Sequence, residues 1–158
     1  MVAKETKQTR PGWDEYFLNI VEAVGKRSTC LRGKPGCVIA RDNVLLSTGY
    51  AGAPRGAAQC DEVGCLIKEV KHSDGHVSIH CKRTVHAEVN AILQAAKNGI
   101  GIDGGTLYCG MCPCRDCAMV IVNSGIKRVI VKDDYHESTE SKDLFVGAGV
   151  ELVILQNK

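Results

Sequence analysis

The sequence predicts an α/β fold in which a mixed sheet is covered by helices on both faces. Three observations predict it. A hairpin signal near the N-terminus is followed by helices and strands in alternation, the pattern of a sheet with crossover helices. Several strand candidates are short apolar runs without polar alternation, as expected where both faces are covered. The 158 residues, 44% apolar and 24% charged, suit one domain with a core of its own.

Residues 1–12 form a polar arm, with Lys4, Lys7 and Arg10 and little that could be buried, ending at Pro11-Gly12. Trp13, Phe17, Ile20, Val21 and Val24 then recur at helical spacing, with Asp14 and Glu15 in the first turn, so a helix runs to about Lys26. Cys37-Val38-Ile39-Ala40, a turn at Arg41-Asp42-Asn43 and a return from Val44 to Tyr50 read as a hairpin. Residues 49–56, rich in Gly, Ala and Pro, form a loop at a strand end, a common place for a site. Residues 60–81 hold three cysteines and three histidines, His72, His76 and His80, with few large apolar residues. Such a segment makes no core and needs something else to order it.

From Thr84 the pattern becomes helical again, with Val85, Val89, Ile92, Leu93 and Ala96 as the apolar face and a stop at Lys97-Asn98-Gly99. Thr106 to Cys109 reads as a strand, Cys114 to Asn123 as a helix stopped by Ser124-Gly125, and Arg128 to Val131 as a buried strand. A polar loop at 133–136, part of a helix at Ser141 to Val146 and a strand at Val150 to Leu155 complete the chain. Residues 13–158 are therefore one domain.

Two stretches carry chemistry, His86-Ala87-Glu88 and Pro113-Cys114-Arg115-Asp116-Cys117. One imidazole and two thiolates leave a tetrahedral Zn²⁺ with one open position, the mark of a catalytic rather than a structural site. Glu88 is not needed as a ligand and stands where it can carry a proton. His86 and Glu88 fall in the first turn of one helix and Cys114 and Cys117 at the start of another, so two positive helix ends meet at the ion and favour the thiolates. Cys112 is a neighbouring alternative to Cys114, although Pro113 prefers the turn just before a helix. The order H-x-E then P-C-x-x-C is that of zinc nucleobase deaminases, in which an activated water attacks C4 of cytosine and the glutamate serves as acid and base.

Beyond these stretches the chain resembles the deoxycytidylate (dCMP) deaminases, including the late-competence type of bacteria, from Trp13 to about Leu155. The resemblance rests on Arg27-Ser28-Thr29-Cys30, Gly49-Tyr50-Ala51-Gly52, the run from Cys60 to Cys65, the run from Arg83 to Ile92, Ser124 to Lys127 and Asp134-Tyr135-His136. It implies a three-layer αβα cytidine-deaminase-like sandwich with a five-stranded mixed sheet. It also implies hydrolysis of dCMP to dUMP and ammonia, which feeds thymidylate synthesis. A homo-oligomer, a hexamer or smaller, is implied as well, with feedback by dCTP with Mg²⁺ and by dTTP. Carried over residue by residue, Arg27 and Ser28 lie near the nucleotide, the 49–56 loop lines substrate or effector, and Tyr135 faces the pocket. Ala51 stands where the family usually has Asn. A site built around that amide loses about 1–3 kcal/mol when a partner is left unpaired.

Cys30, Cys60, Cys65 and Cys81 remain. Four thiolates close a tetrahedral site, and a second, structural zinc there would order the 60–81 segment; the resembled family often carries one. His76 or His80 in place of a cysteine, or four unligated thiols, are the alternatives. Cys37 and Cys109 read as core residues, and His72 and His136 as solvated side chains.

The net charge of +2 gives no field that demands nucleic acid or an anionic membrane, and no run approaches membrane-spanning length. Nine cysteines, clustered beside histidines and without an export signal, indicate a reducing cytoplasm. Competing readings keep the chemistry but change the substrate to deoxycytidine, dCTP, guanine or a tRNA base. Another class altogether is a non-catalytic zinc module binding nucleic acid or protein through 60–81.

Overall fold

A computed structural model describes residues 10–71, 75–135 and 138–155 of the chain. The arm up to residue 9, His72 and His136 lie outside the described residues. Helix α1 (Trp13–Gly25) begins after Gly12, as the apolar spacing predicts. It leads to β1 (Gly36–Arg41) and β2 (Val44–Tyr50). Asp42 and Asn43 between them have φ of 52° and 62°, the conformation that a two-residue turn needs to match the strand twist.

The 60–81 segment has more regular structure than its composition suggests. It forms a short helix α2 (Cys60–Val63) and a hairpin of β3 (Ile67–Lys71) and β4 (Val77–Cys81). Val77, Ile79 and Cys81 alternate with polar residues, a period-2 signal hidden by the polar composition. The hairpin forms a separate two-stranded sheet.

Helix α3 (Ala87–Lys97) starts three residues later than Thr84, with His86 as its N-cap. Strand β5 (Thr106–Met111), helix α4 (Arg115–Asn123) with Cys114 as N-cap, β6 (Arg128–Asp133), α5 (Thr139–Ala148) and β7 (Glu151–Ile154) follow. The last helix is a turn longer than its apolar residues indicate.

The main sheet has five strands in the order β2-β1-β5-β6-β7. β1 runs antiparallel to β2 and β5, while β5, β6 and β7 are parallel. The register explains the layers, because alternate residues face opposite sides. Val38, Tyr108 and Ile130 align across the sheet and pack with Phe17 and Val21 of α1 on one face. Cys37, Cys109 and Val131 align on the other, in the core shared with α3, α4 and α5. Cys37 and Cys109 are thus core residues, as expected. The expected apolar face of α3 holds in part: Val89 and Ile92 pack partly buried against this core, but the fully buried residues are Ala87, Ala91 and Ala95, and Leu93 is 54% exposed. Among the described residues, no helix is long and apolar enough to cross a membrane.

Candidate active site

β5 and its continuation deliver Pro113-Cys114 to the start of α4. The N–H of Cys112 donates to Asp133 O at 3.1 Å, extending the parallel pairing past the end of β5. On the other side, Val85 pairs with Gly52 through reciprocal bonds, Val85 N–H to Gly52 O at 2.8 Å and Gly52 N–H to Val85 O at 3.3 Å. His86 follows directly and caps α3. The two helix N-termini thereby meet.

His86 Nδ1 lies 3.5 Å from Cys114 Sγ and 3.3 Å from Cys117 Sγ, and the three side chains form one donor group. Around a tetrahedral zinc with Zn–N of about 2.0 Å and Zn–S of about 2.3 Å, an N···S edge is about 3.5 Å. The donors therefore fit that ion in both chemistry and spacing. Cys112 is not in the group: it is buried, and burial, against a bond to Ser138, raises its thiol pKa.

Electrostatics divide the labour among these groups. The bond from the Cys117 thiol, reinforced against burial by His86, brings the Cys114 pKa down to about 4. Its bond to Cys114 raises that of His86. Glu88 lies on the same helix turn, with its Oε2 3.8 Å from Cys117 Sγ. Burial, partly opposed by backbone bonding and His86, raises the Glu88 pKa above the ordinary carboxylate value, the direction that suits a proton carrier near neutral pH.

The substrate residues expected from the sequence fall on three loops, those after α1, β2 and β6. Arg27 is exposed just past α1. Ser28 is buried, and its hydroxyl is committed to the fold, donating to Ala51 O at 2.9 Å and accepting from Cys30 N at 3.2 Å. Ala51 is also buried, its carbonyl further accepting from Thr29 N at 3.3 Å and its N–H donating to Pro35 O at 3.2 Å. Tyr135 is half-buried against the core beneath α4 and α5, and its N–H donates to Asp134 Oδ1 at 2.8 Å. Asp134 also receives Ser138 Oγ at 2.8 Å and Lys142 Nζ at 2.6 Å.

Cys60, Cys65 and Cys81 form a second donor group. The Cys60 and Cys81 sulfurs are 3.7 Å apart, and the S···S edge of a tetrahedral zinc thiolate site is about 3.8 Å. Burial works against the Cys81 thiolate, yet the Arg83 N–H, the bond with Cys60 and the Leu66 N–H outweigh it and lower its pKa to about 7. Cys30 is buried nearby in sequence to Thr29 but stands outside this group, as do His76 and His80; the His80 ring bonds Ser78 Oγ at 2.6 Å.

Two further residues, outside those singled out by motif, join these parts. Asn90 Nδ2 donates to Tyr50 O at 2.8 Å and to Val85 O at 3.3 Å, tying α3 to the flanking loop. Gln59 caps α2 in a reciprocal box with Glu62. The sequence carries little signal for it, because the capping pattern has Ser, Thr, Asp or Asn three before Glu and Gln is not among the usual N-cap residues.

A helix-borne carboxylate beside a His-Cys-Cys donor set, on an αβα mixed sheet, defines a zinc protein of the cytidine-deaminase-like class. The profile of the cytidine and deoxycytidylate deaminase zinc-binding region matches residues 11–133. The deoxycytidylate deaminase of Schizosaccharomyces pombe is 39% identical over 143 residues, 90% of this chain and 44% of that protein. That of Mycobacterium phage D29 is 41% identical over 127 residues, 77% of this chain and 95% of the phage protein. The crystal structure of dCMP deaminase from cyanophage S-TIM5 in complex with dCMP and dUMP superposes with a TM-score of 0.72 at 29% identity, covering 91% of this chain and 97% of that one. This chain belongs to the cytidine and deoxycytidylate deaminase family. It spans less than half the length of the two yeast relatives, 44% of each.

Proposed function

We propose that the chain catalyses the hydrolytic deamination of dCMP to dUMP and ammonia. The observation that carries this reading is Glu88, held on one helix turn beside three zinc-type donors that do not need it. A closed structural site has no use for such a carboxylate. Relatives named deoxycytidylate deaminase and the cyanophage enzyme with its bound nucleotides support dCMP as the substrate.

His86, Cys114 and Cys117 hold the zinc in this reading. Zinc so held supplies Lewis acidity that makes a water nucleophilic near neutral pH. Glu88 would take a proton from the attacking water as the water oxygen bonds to C4 of the cytosine ring, and would deliver it to ring N3. It then passes the second proton of the water to the C4 amine, which leaves as ammonia while the C4 carbonyl forms. Arg27 meets the 5′-phosphate, Ser28 and Ala51 shape the sugar side through the loop backbone, and Tyr135 closes the opposite wall. A second zinc held by Cys60, Cys65 and Cys81, with Cys30 as the fourth ligand that the resemblance implies, belongs to the same reading. So do dCTP with Mg²⁺ and dTTP as effectors, a homo-oligomer, and a place in the cytoplasm.

The test is ammonia release from dCMP, CMP, dCTP, deoxycytidine and guanine, each with and without added dCTP and dTTP. Turnover greatest with dCMP is the expected result. Turnover of deoxycytidine or guanine in preference would move the substrate, and no ammonia from any of the five would overturn the reading.

A further inference from the structure

The loop beside the active site is held from the side of the second cysteine group. Gln59 Oε1 accepts from Thr29 Oγ1 at 2.8 Å and from Ala53 N at 2.9 Å, while Nε2 reaches Ala53 O at 3.4 Å and Ala57 O at 3.2 Å. Within the clasped turn, Ala57 N–H donates to Pro54 O at 3.0 Å. A Cβ built on Gly52 would lie 3.3 Å from Thr29 Oγ1 and 3.4 Å from Gln59 Oε1. The carboxamide is therefore packed against the loop backbone, not swinging in solvent. The backbone of Gln59 belongs to another element: its N–H donates to Glu62 Oε2 at 2.9 Å at the start of α2, next to Cys60.

The clasped loop meets the catalytic segment at Gly52 and Val85, one residue before His86. We infer that Gln59 is a positioning residue for the deamination: its carboxamide ties residues 51–57 to Thr29 and to the helix that carries Cys60, and so fixes the pocket wall beside His86. The inference rests on the reading of the chain as a dCMP deaminase. Gln59 has no contact with Glu88 or the three zinc donors in its hydrogen bonding, so its effect falls on substrate binding rather than on proton transfer.

Steady-state kinetics of the full chain with dCMP test this. Gln59→Met keeps the length of the side chain and removes its bonds; the expected result is a KM about tenfold higher with kcat within about twofold, the scale of losing one or two hydrogen bonds. Thr29→Val moves KM in the same direction, and the double variant is less impaired than the product of the single effects, because both remove one shared bond. Glu62→Ala removes the other half of the α2 cap while leaving the carboxamide, and its KM stays at the parental value. Hydrogen exchange at the Ala53 amide, read without substrate, accelerates in Gln59→Met and not in Glu62→Ala. A parental KM and Ala53 exchange rate in Gln59→Met would overturn the inference, as would Glu62→Ala raising KM equally. A parent that releases no ammonia from dCMP overturns instead the reading of the reaction, and the Ala53 exchange rate then judges the clasp by itself.

Discussion

Gly49 of β2 passes so close beneath α3 that a Cβ there would fall inside van der Waals contact with the backbone of Ala87 and Ala91. Ser47, two residues earlier on the same face, donates its hydroxyl to Ala91 O at 2.7 Å. The catalytic helix thus rests directly on the strand. Gly49→Ala must push the helix outward, at about 1–3 kcal/mol, the usual cost of overpacking. Because α3 carries Glu88 and is capped by His86, the same variant is expected to bind zinc less tightly; denaturant midpoints and zinc content measure the two effects. At the site itself, Glu88→Gln keeps the shape but cannot ionise. The expected outcome is a kcat about 10²- to 10⁴-fold lower with zinc content and Tm unchanged. The close contact also explains why the buried face of α3 departs in part from its apolar spacing. The helix residues that meet Gly49 are alanines, Ala87 and Ala91, which carry little hydrophobic signal, while hydrophobicity favours Leu93, which the structure leaves exposed. His86, Glu88, Cys114 and Cys117, in contrast, were legible because their spacing encodes chemistry directly. Ser28 and Ala51 are legible as members of two separate loops, but the hydroxyl and carbonyl they spend on each other depend on a contact between distant segments.

Among the elements, the five strands of the main sheet and the helices that cover it follow from apolar runs and turn residues, and their ends move by only a few residues. The β3–β4 hairpin was not foreseen. Its apolar side chains do not enter the core: Ile67, Val77 and Ile79 are each about half exposed. An isolated two-stranded hairpin is at best marginal in water, and this one closes at the Ile67–Cys81 pair, where the second donor group gathers Cys65 and Cys81 with Cys60. A metal there would act as the hairpin's missing core. Cys65→Ser is expected to lower the zinc content from about two ions per chain to about one. Amide protection should then be lost across 67–71 and 77–81 while the five-stranded sheet keeps its protection. Unchanged zinc content in Cys65→Ser would show instead that these thiols hold no metal.

Across the whole molecule, the catalytic donors bind together parts of the chain that folding alone brings close. His86 lies at the end of a segment paired with the 50–52 loop, and Cys114 and Cys117 open a helix that follows the central β5 strand. An ion bridging them is bound by the native state and far less by the unfolded chain, so it must stabilise the fold by linkage. At a free zinc concentration about 100 times its Kd, the gain is about 2.7 kcal/mol. For a domain of this length that corresponds to a Tm higher by about 5–11 °C. The two groups can be separated by comparing the parent with Cys65→Ser and with His86→Ala. Thermal melts with and without a strong chelator should show a shift in the parent, a smaller one in Cys65→Ser that reports the catalytic site alone, and in His86→Ala one that reports the second group alone. The chelator should abolish turnover wherever it removes the Cys65→Ser shift, because the remaining metal is then the one beside Glu88. A parent whose Tm and turnover both ignore the chelator, after exchange long enough to strip a bound ion, would mean that the grouping of His86, Cys114 and Cys117 serves no metal.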